Sequence, residues 1–180
     1  MMLIQNLLLI AGTGNKSGKT TFACRVIEQY RESGIVAVKI TPHFHETTSG
    51  LILLNETQGY SIYEETDSET NKDTSRMLKS GAARVFFAKV TDKNLAGAFS
   101  EILEFIPSET PVVCESPALR YCAEPGVFVI MKSDENNNNK NINRLLELPH
   151  VMFHLSDILS RTALPFDFTE GKWKYTGDRI

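Results

Sequence analysis

The 180-residue chain is 42% hydrophobic and carries a formal charge of −3, which is enough apolar content for one sizeable core and a single domain over residues 1–180. That acidic balance argues against a nucleic-acid partner, which needs a basic footprint, and no apolar run has the length of a membrane span. Cys24, Cys114 and Cys122 are odd in number and lack metal-type pairing, so they read as reduced core thiols of a cytoplasmic protein.

Residues 2–11 are dominated by Leu and Ile, the pattern of a strand buried on both faces of a parallel sheet. Gln5 and Asn6 interrupt the run, no basic region precedes it and no small-residue cleavage site ends it, so it reads as a strand rather than an export signal. Gly12-Thr13-Gly14-Asn15-Lys16-Ser17-Gly18 follows at once, then Lys19-Thr20-Thr21. Gly12, Gly14 and Gly18 let backbone N–H groups turn inward, and Lys19 and Thr20 stand where a helix begins and its dipole is positive. This is a nest for a polyphosphate.

Phe22, Val26, Ile27 and Tyr30 recur at helical spacing and Gly34 stands at the C-terminal cap, which predicts a helix over residues 18–33. Residues 35–40 read as a second buried strand joined to the first by a parallel crossover. Residues 40–71 contain no Lys or Arg but six acids, including Glu46, Glu64 and Glu65. Within them, residues 51–54 and 60–63 flank a five-residue loop and predict a hairpin. A connection of this length inside a compact domain is usually functional, so residues 42–71 are expected to be an insertion on the second-substrate side, away from the phosphates.

Strands follow at 85–90, 111–115, 127–131 and 151–155, with an apolar helical stripe from Leu95 to Ile106 that Asp92 precedes and Pro107 stops. Asn136 to Asn139 is too polar to pack. Ile142, Leu145 and Leu146 mark a short helix, and the aromatic tail over 164–175 has no clear period. Glu115 ends a buried strand, where carboxylates face the ligand crevice of open α/β sheets.

The stretch from Gly12 to Thr20 has five residues between its first Gly and the Gly-Lys-Thr, one more than the usual P-loop. This longer loop resembles that of dethiobiotin synthetase. Its ending, Ser17-Gly18-Lys19-Thr20-Thr21, is also similar to the cobyrinic acid amide-forming enzymes and to the GTP-binding adaptor of molybdopterin guanine dinucleotide biosynthesis, all within the SIMIBI class of P-loop NTPases. Lys72-Asp73-Thr74-Ser75-Arg76-Met77-Leu78-Lys79-Ser80-Gly81-Ala82 resembles the stretch before the third strand of that adaptor family. The resemblance implies a three-layer α/β/α fold with a mostly parallel sheet. It also implies ATP or GTP and Mg²⁺ as cofactors, and a small-molecule substrate or partner enzyme, with a homodimer left open.

Lys19 is then expected at the β- and γ-phosphates, Thr20 and Glu115 at Mg²⁺, and Thr21 at the α-phosphate, with Lys16 a loop-surface lysine. The relatives have Glu-Gly where Glu115 is followed here by Ser116-Pro117. Lys39, His43 and His45 match the residue types of a segment beyond the second strand of the adaptors and are candidate phosphate or substrate contacts, with a two-ligand metal site at the His43-x-His45 pair or ordinary polar loop residues as the alternatives. Arg120 and Arg76 are anion-contact candidates, with a surface salt bridge the alternative for each. Lys132-x-Asp134 is half of a guanine-reading motif, with Met131 in place of Asn. Three activities remain open: an ATP-dependent carboxylate-activating ligase of cofactor biosynthesis, which leads, a GTP-binding adaptor, and a small-molecule kinase. The last is disfavoured because the chain has no Arg cluster for a lid.

Overall fold

The computed structural model describes residues 1–44, 47–133 and 142–177. His45, Glu46, Asp134 and the Asn136–Asn139 tract lie outside the described residues.

In chain order, β1 (Met2–Gly12), α1 (Lys19–Gln29) and β2 (Val36–Thr41) open the fold, and the hairpin β3 (Leu51–Thr57) and β4 (Tyr60–Glu65) follows. Next come α2 (Asp73–Lys79), β5 (Arg84–Val90), α3 (Leu95–Glu104), β6 (Val112–Glu115) and β7 (Ala123–Lys132). The chain then forms α4 (Asn143–Leu146), β8 (Val151–His154), α5 (Leu155–Leu159), β9 (Phe166–Thr169) and β10 (Lys172–Tyr175). Among the described residues, eight strands form one mixed sheet in the order β3-β4-β5-β2-β6-β1-β7-β8. The six strands from β5 to β8 run parallel, while β3 and β4 are added antiparallel at one edge.

β1 lies between β6 and β7, so neighbours take its backbone groups on both sides and both faces are covered. That explains its continuous apolar run: every residue from Leu7 to Ala11 is fully buried. Alternate side chains divide between two cores. Leu7, Leu9 and Ala11 join Phe99 and Ile102 of α3 and Leu145 of α4, whereas Leu8 and Ile10 join Phe22 and Ile27 of α1, Met77 of α2 and Ile158 of α5. Helices therefore pack on both faces, and the result is an α/β fold with a mostly parallel sheet.

Several boundaries differ from those predicted. The first helix ends at Gln29, and the chain continues through a 3₁₀ turn at Arg31–Ser33 to Gly34, which takes the left-handed conformation at φ 66°. β7 begins at Ala123, earlier than its apolar run, because Ala123, Glu124 and Pro125 pair with Met2, Leu3 and Ile4 before a register shift at Gly126. A Cβ on Gly126 would come within 2.2 Å of the Gln5 carbonyl. Two acidic residues of the predicted insertion are tied to the sheet and its helices. Glu64 pairs with Arg84 of β5 at 2.7 Å, and the buried Glu65 accepts from Thr74 Oγ1 of α2 at 2.7 Å. Glu101 of α3 accepts from Tyr60 Oη at 2.6 Å and from Asn55.

The aromatic tail is a second, two-stranded sheet, β9 paired with β10. Glu170 and Gly171 both have positive φ between the strands, which is the geometry of a two-residue hairpin turn. This hairpin lays Phe166 against Phe22 and Phe153, with centroids 5.7 and 5.9 Å away. Trp173, 2% exposed, packs edge-on to Tyr30, the C-cap residue of α1, at 4.8 Å. Among the described residues no helix is long and apolar enough to cross a membrane.

A candidate anion and cation site at the carboxyl ends of the strands

The glycine-rich loop leaves β1 at Gly12 and turns into α1. Gly12 is required for space, since a Cβ there would come within 2.3 Å of Ser17 Oγ. Gly18 is required for conformation, with φ 85° at the helix N-cap. Lys16 also has a positive φ, 56°, so the loop holds a strained non-glycine residue as well. Thr13 anchors the loop to β7: its N–H donates to the Met131 carbonyl at 3.0 Å and its Oγ1 accepts from the Ser133 N–H at 2.9 Å.

α1 begins Lys19-Thr20-Thr21-Phe22, with no acidic residue in the first turn and no side chain capping Gly18. The positive end of the helix dipole is thus left for a ligand. Lys19 Nζ curls over the loop and donates to the Gly14 carbonyl at 2.9 Å and to Ser17 Oγ at 3.1 Å. A cavity of about 660 Å³ opens above, lined by the loop from Asn15 to Ser17, by Gly18–Thr21 and by the exits of β2 and β6.

Strand register builds the second half. Lys39 of β2 and Ile10 of β1 both stand opposite Glu115 of β6, so all three end at the same crevice. Glu115 uses both carboxylate oxygens: Oε2 accepts from Thr20 Oγ1 at 2.9 Å, and Oε1 pairs with Lys39 Nζ at 3.3 Å. Lys39 also pairs with Asp73, the first residue of α2. Arg76, one turn on, lies 3.8 Å from Asp73 and donates to Thr21 Oγ1 at 3.4 Å. Burial pushes the Asp73 carboxyl up, but the Lys39 ammonium and the Arg76 charge outweigh it and hold the group below its ordinary value. Burial likewise pulls Lys39 down, and the charges of Glu115 and Asp73 reverse that and raise it.

Thr20 Oγ1 and the carboxylates of Asp73 and Glu115 are all oxygen donors, which suits Mg²⁺. Two carboxylates and a hydroxyl match the way Mg²⁺ is held beside substrate phosphates, with waters completing the shell, and not a closed protein cage. Among the described residues no cluster of three His, Cys, Asp or Glu side chains has metal-binding geometry.

Of the residues singled out in the sequence, Gly12, Asn15 to Thr21, Lys39, His43 and Glu115 line this cavity, and Arg76 joins them. Arg120 does not. It is 4% exposed, donates to the Ala123 carbonyl at 3.3 Å and lies over the Phe128 ring, so it is a buried structural cation rather than a substrate contact. Lys132 is exposed at the end of β7 and does not line the cavity. The predicted insertion contributes Pro42 and His43 to the lining, while β3 and β4 extend the sheet instead. Asp73 is the residue that sequence reasoning missed. Its signal was an acid opening a helix, which is common, and its partner Lys39 is 34 positions away.

No protein-family model, curated protein or solved structure matches the chain.

Proposed function

We propose that the protein binds ATP or GTP with Mg²⁺ in the cytoplasm and transfers the terminal phosphoryl group, either to water or to a carboxylate-bearing small molecule that is thereby activated for ligation. One observation carries this reading: the uncapped N-terminus of α1, Lys19 and the oxygen trio of Thr20, Asp73 and Glu115 converge on one cavity large enough for a nucleotide. The first-turn N–H groups and Lys19 hold the β- and γ-phosphates, where charge accumulates as the terminal bond breaks. The bound Mg²⁺ supplies further neutralisation of that charge. The resemblance of the loop to SIMIBI-class P-loops and to dethiobiotin synthetase agrees with these roles. Beyond Glu115 the cavity continues along Val90, Leu95 and Pro117, an apolar wall suited to the body of a second small molecule.

The GTP-binding adaptor stands as a second reading on one observation. β3 is a sheet edge that exposes Ile52 and Leu53 to 56% and 50%, the kind of surface a partner protein covers.

Lys19→Ala tests the common core of both readings. ATP and GTP affinities, measured by titration calorimetry with Mg²⁺, are expected to fall by roughly 100-fold with the melting temperature unchanged. Unaltered affinity in the folded variant ends the nucleotide reading, and the ratio of wild-type ATP to GTP affinity separates ligase from adaptor.

A further inference from the structure

We propose that Lys39 is a built-in stand-in for the divalent cation: its ammonium holds Asp73 and Glu115 together until the metal displaces it, and the displaced amine swings to the second-substrate side of the cavity. The proposal rests on the reading of Thr20, Asp73 and Glu115 as metal ligands.

Three observations support it. First, Lys39 Nζ lies between the same two carboxylates that, with Thr20, make up the oxygen set, 3.3 Å from Glu115 Oε1 and paired with Asp73. An ammonium and a divalent cation draw on the same oxygens and repel each other, so the two compete for one position. Second, the register that pairs Lys39 with Glu115 across adjacent strands fixes the lysine backbone within a side-chain length of the site, and the flexible four-carbon stem lets the head move without the strand. Third, there is space to receive it. Just past Lys39 the cavity is lined by Thr41, Pro42 and His43. The charge changes in a definite sense as well. With Arg76 beside Asp73, the two carboxylates and two cations balance, and exchange of the ammonium for a divalent cation adds one positive charge to the cluster while placing a further cation on the neighbouring wall. An anionic second substrate therefore finds its lysine only after the metal has bound, which orders the two binding events.

The test is a titration of nucleotide-free wild type and Lys39→Met with Mn²⁺, followed by loss of the aqueous Mn²⁺ paramagnetic resonance signal. The variant is expected to bind on the order of tenfold more tightly. Its metal-free melting temperature should lie below that of wild type, because the two facing carboxylates lose the ammonium between them and keep only Arg76 beside Asp73, and Mn²⁺ should restore it. Wild type alone supplies the second measurement: acetylation of Lys39 by acetic anhydride, read by mass spectrometry, is expected to accelerate at saturating Mn²⁺. Should the variant fail to fold, this labelling decides. Equal or weaker Mn²⁺ binding by the variant, unchanged Lys39 labelling, or no Mn²⁺ binding by either protein overturns the proposal. The nucleotide reading stands or falls on Lys19 and on ATP and GTP, so the two failures are distinguishable.

Discussion

Glu115 serves two partners with two oxygens, a hydroxyl from the helix and an ammonium from the next strand. Glu115→Gln keeps that shape and removes the charge, so it should leave nucleotide affinity within a few-fold and lower Mg²⁺-dependent turnover by at least roughly 10- to 100-fold. Steady-state rates at limiting Mg²⁺ are the measurement, and equal rates would make the carboxylate structural. That Lys19, Thr20 and Glu115 meet at one crevice was legible because each carries a local mark, a lysine and threonine after a glycine and an acid ending an apolar run. Asp73 was not, since its role exists only once α2 is docked beside β2. Arg120, open in the sequence between an anion contact and a surface salt bridge, is buried instead. An arginine soon after Glu115 suggests an anion contact, yet the 3₁₀ turn at Ala118–Tyr121 folds it inward, where Nη1 donates to the Ala123 carbonyl, the guanidinium lies over the Phe128 ring and the buried Nε has no partner among the described residues.

At the scale of elements, the β3–β4 hairpin is the largest difference between expectation and structure. The hairpin itself was readable from two apolar runs around Gln58-Gly59. Its destination was not, because antiparallel pairing with β5 is a contact between distant segments that no local pattern encodes. The Glu64–Arg84 pair secures this joint, with two hydrogen bonds of 2.7 and 2.8 Å, while Arg84 also donates to the Phe105 carbonyl. Hydrogen bonding from Arg84, opposed by some burial, holds the Glu64 carboxyl below its ordinary value. A depressed carboxyl contributes stability that is present above its unfolded pKa and lost as pH falls through the folded value. Glu64→Gln should therefore cost about 0.5–1 kcal/mol at neutral pH, the modest figure due to partial exposure. The gap to wild type should close as pH drops below about 4.3. Urea melts at neutral and acidic pH check the sign, and a gap that widens in acid would contradict it.

For the molecule as a whole, the sheet sets a gradient of protection. β1, β6 and β2 are interior strands with fully buried residues, whereas β3 has one paired edge and one open edge. Amide hydrogen exchange on the ligand-free protein should be slowest in β1 and β6 and intermediate in β4. In β3 it should be fast at the N–H groups turned away from β4. Uniformly fast exchange through residues 51–65 would instead mean that the hairpin detaches and is not a permanent part of the sheet. The parallel core was legible from its continuous apolar runs. The C-terminal hairpin was not, because its aromatic residues contact α1 and β8 rather than follow a strand period of their own.

That hairpin carries the chain's single tryptophan. Trp173 is buried against Tyr30 at the end of α1 and against Phe168, and its indole Nε1 has no hydrogen-bond partner among the described residues. The opposite end of the same helix, about 16 Å away along its axis, lines the candidate site. The protein thus contains its own optical probe: one fluorophore in an apolar setting, whose emission is blue-shifted while the tail is docked and moves to the red when it peels away. Light from this one side chain reports whether α1 is held at its far end while the other end receives a ligand.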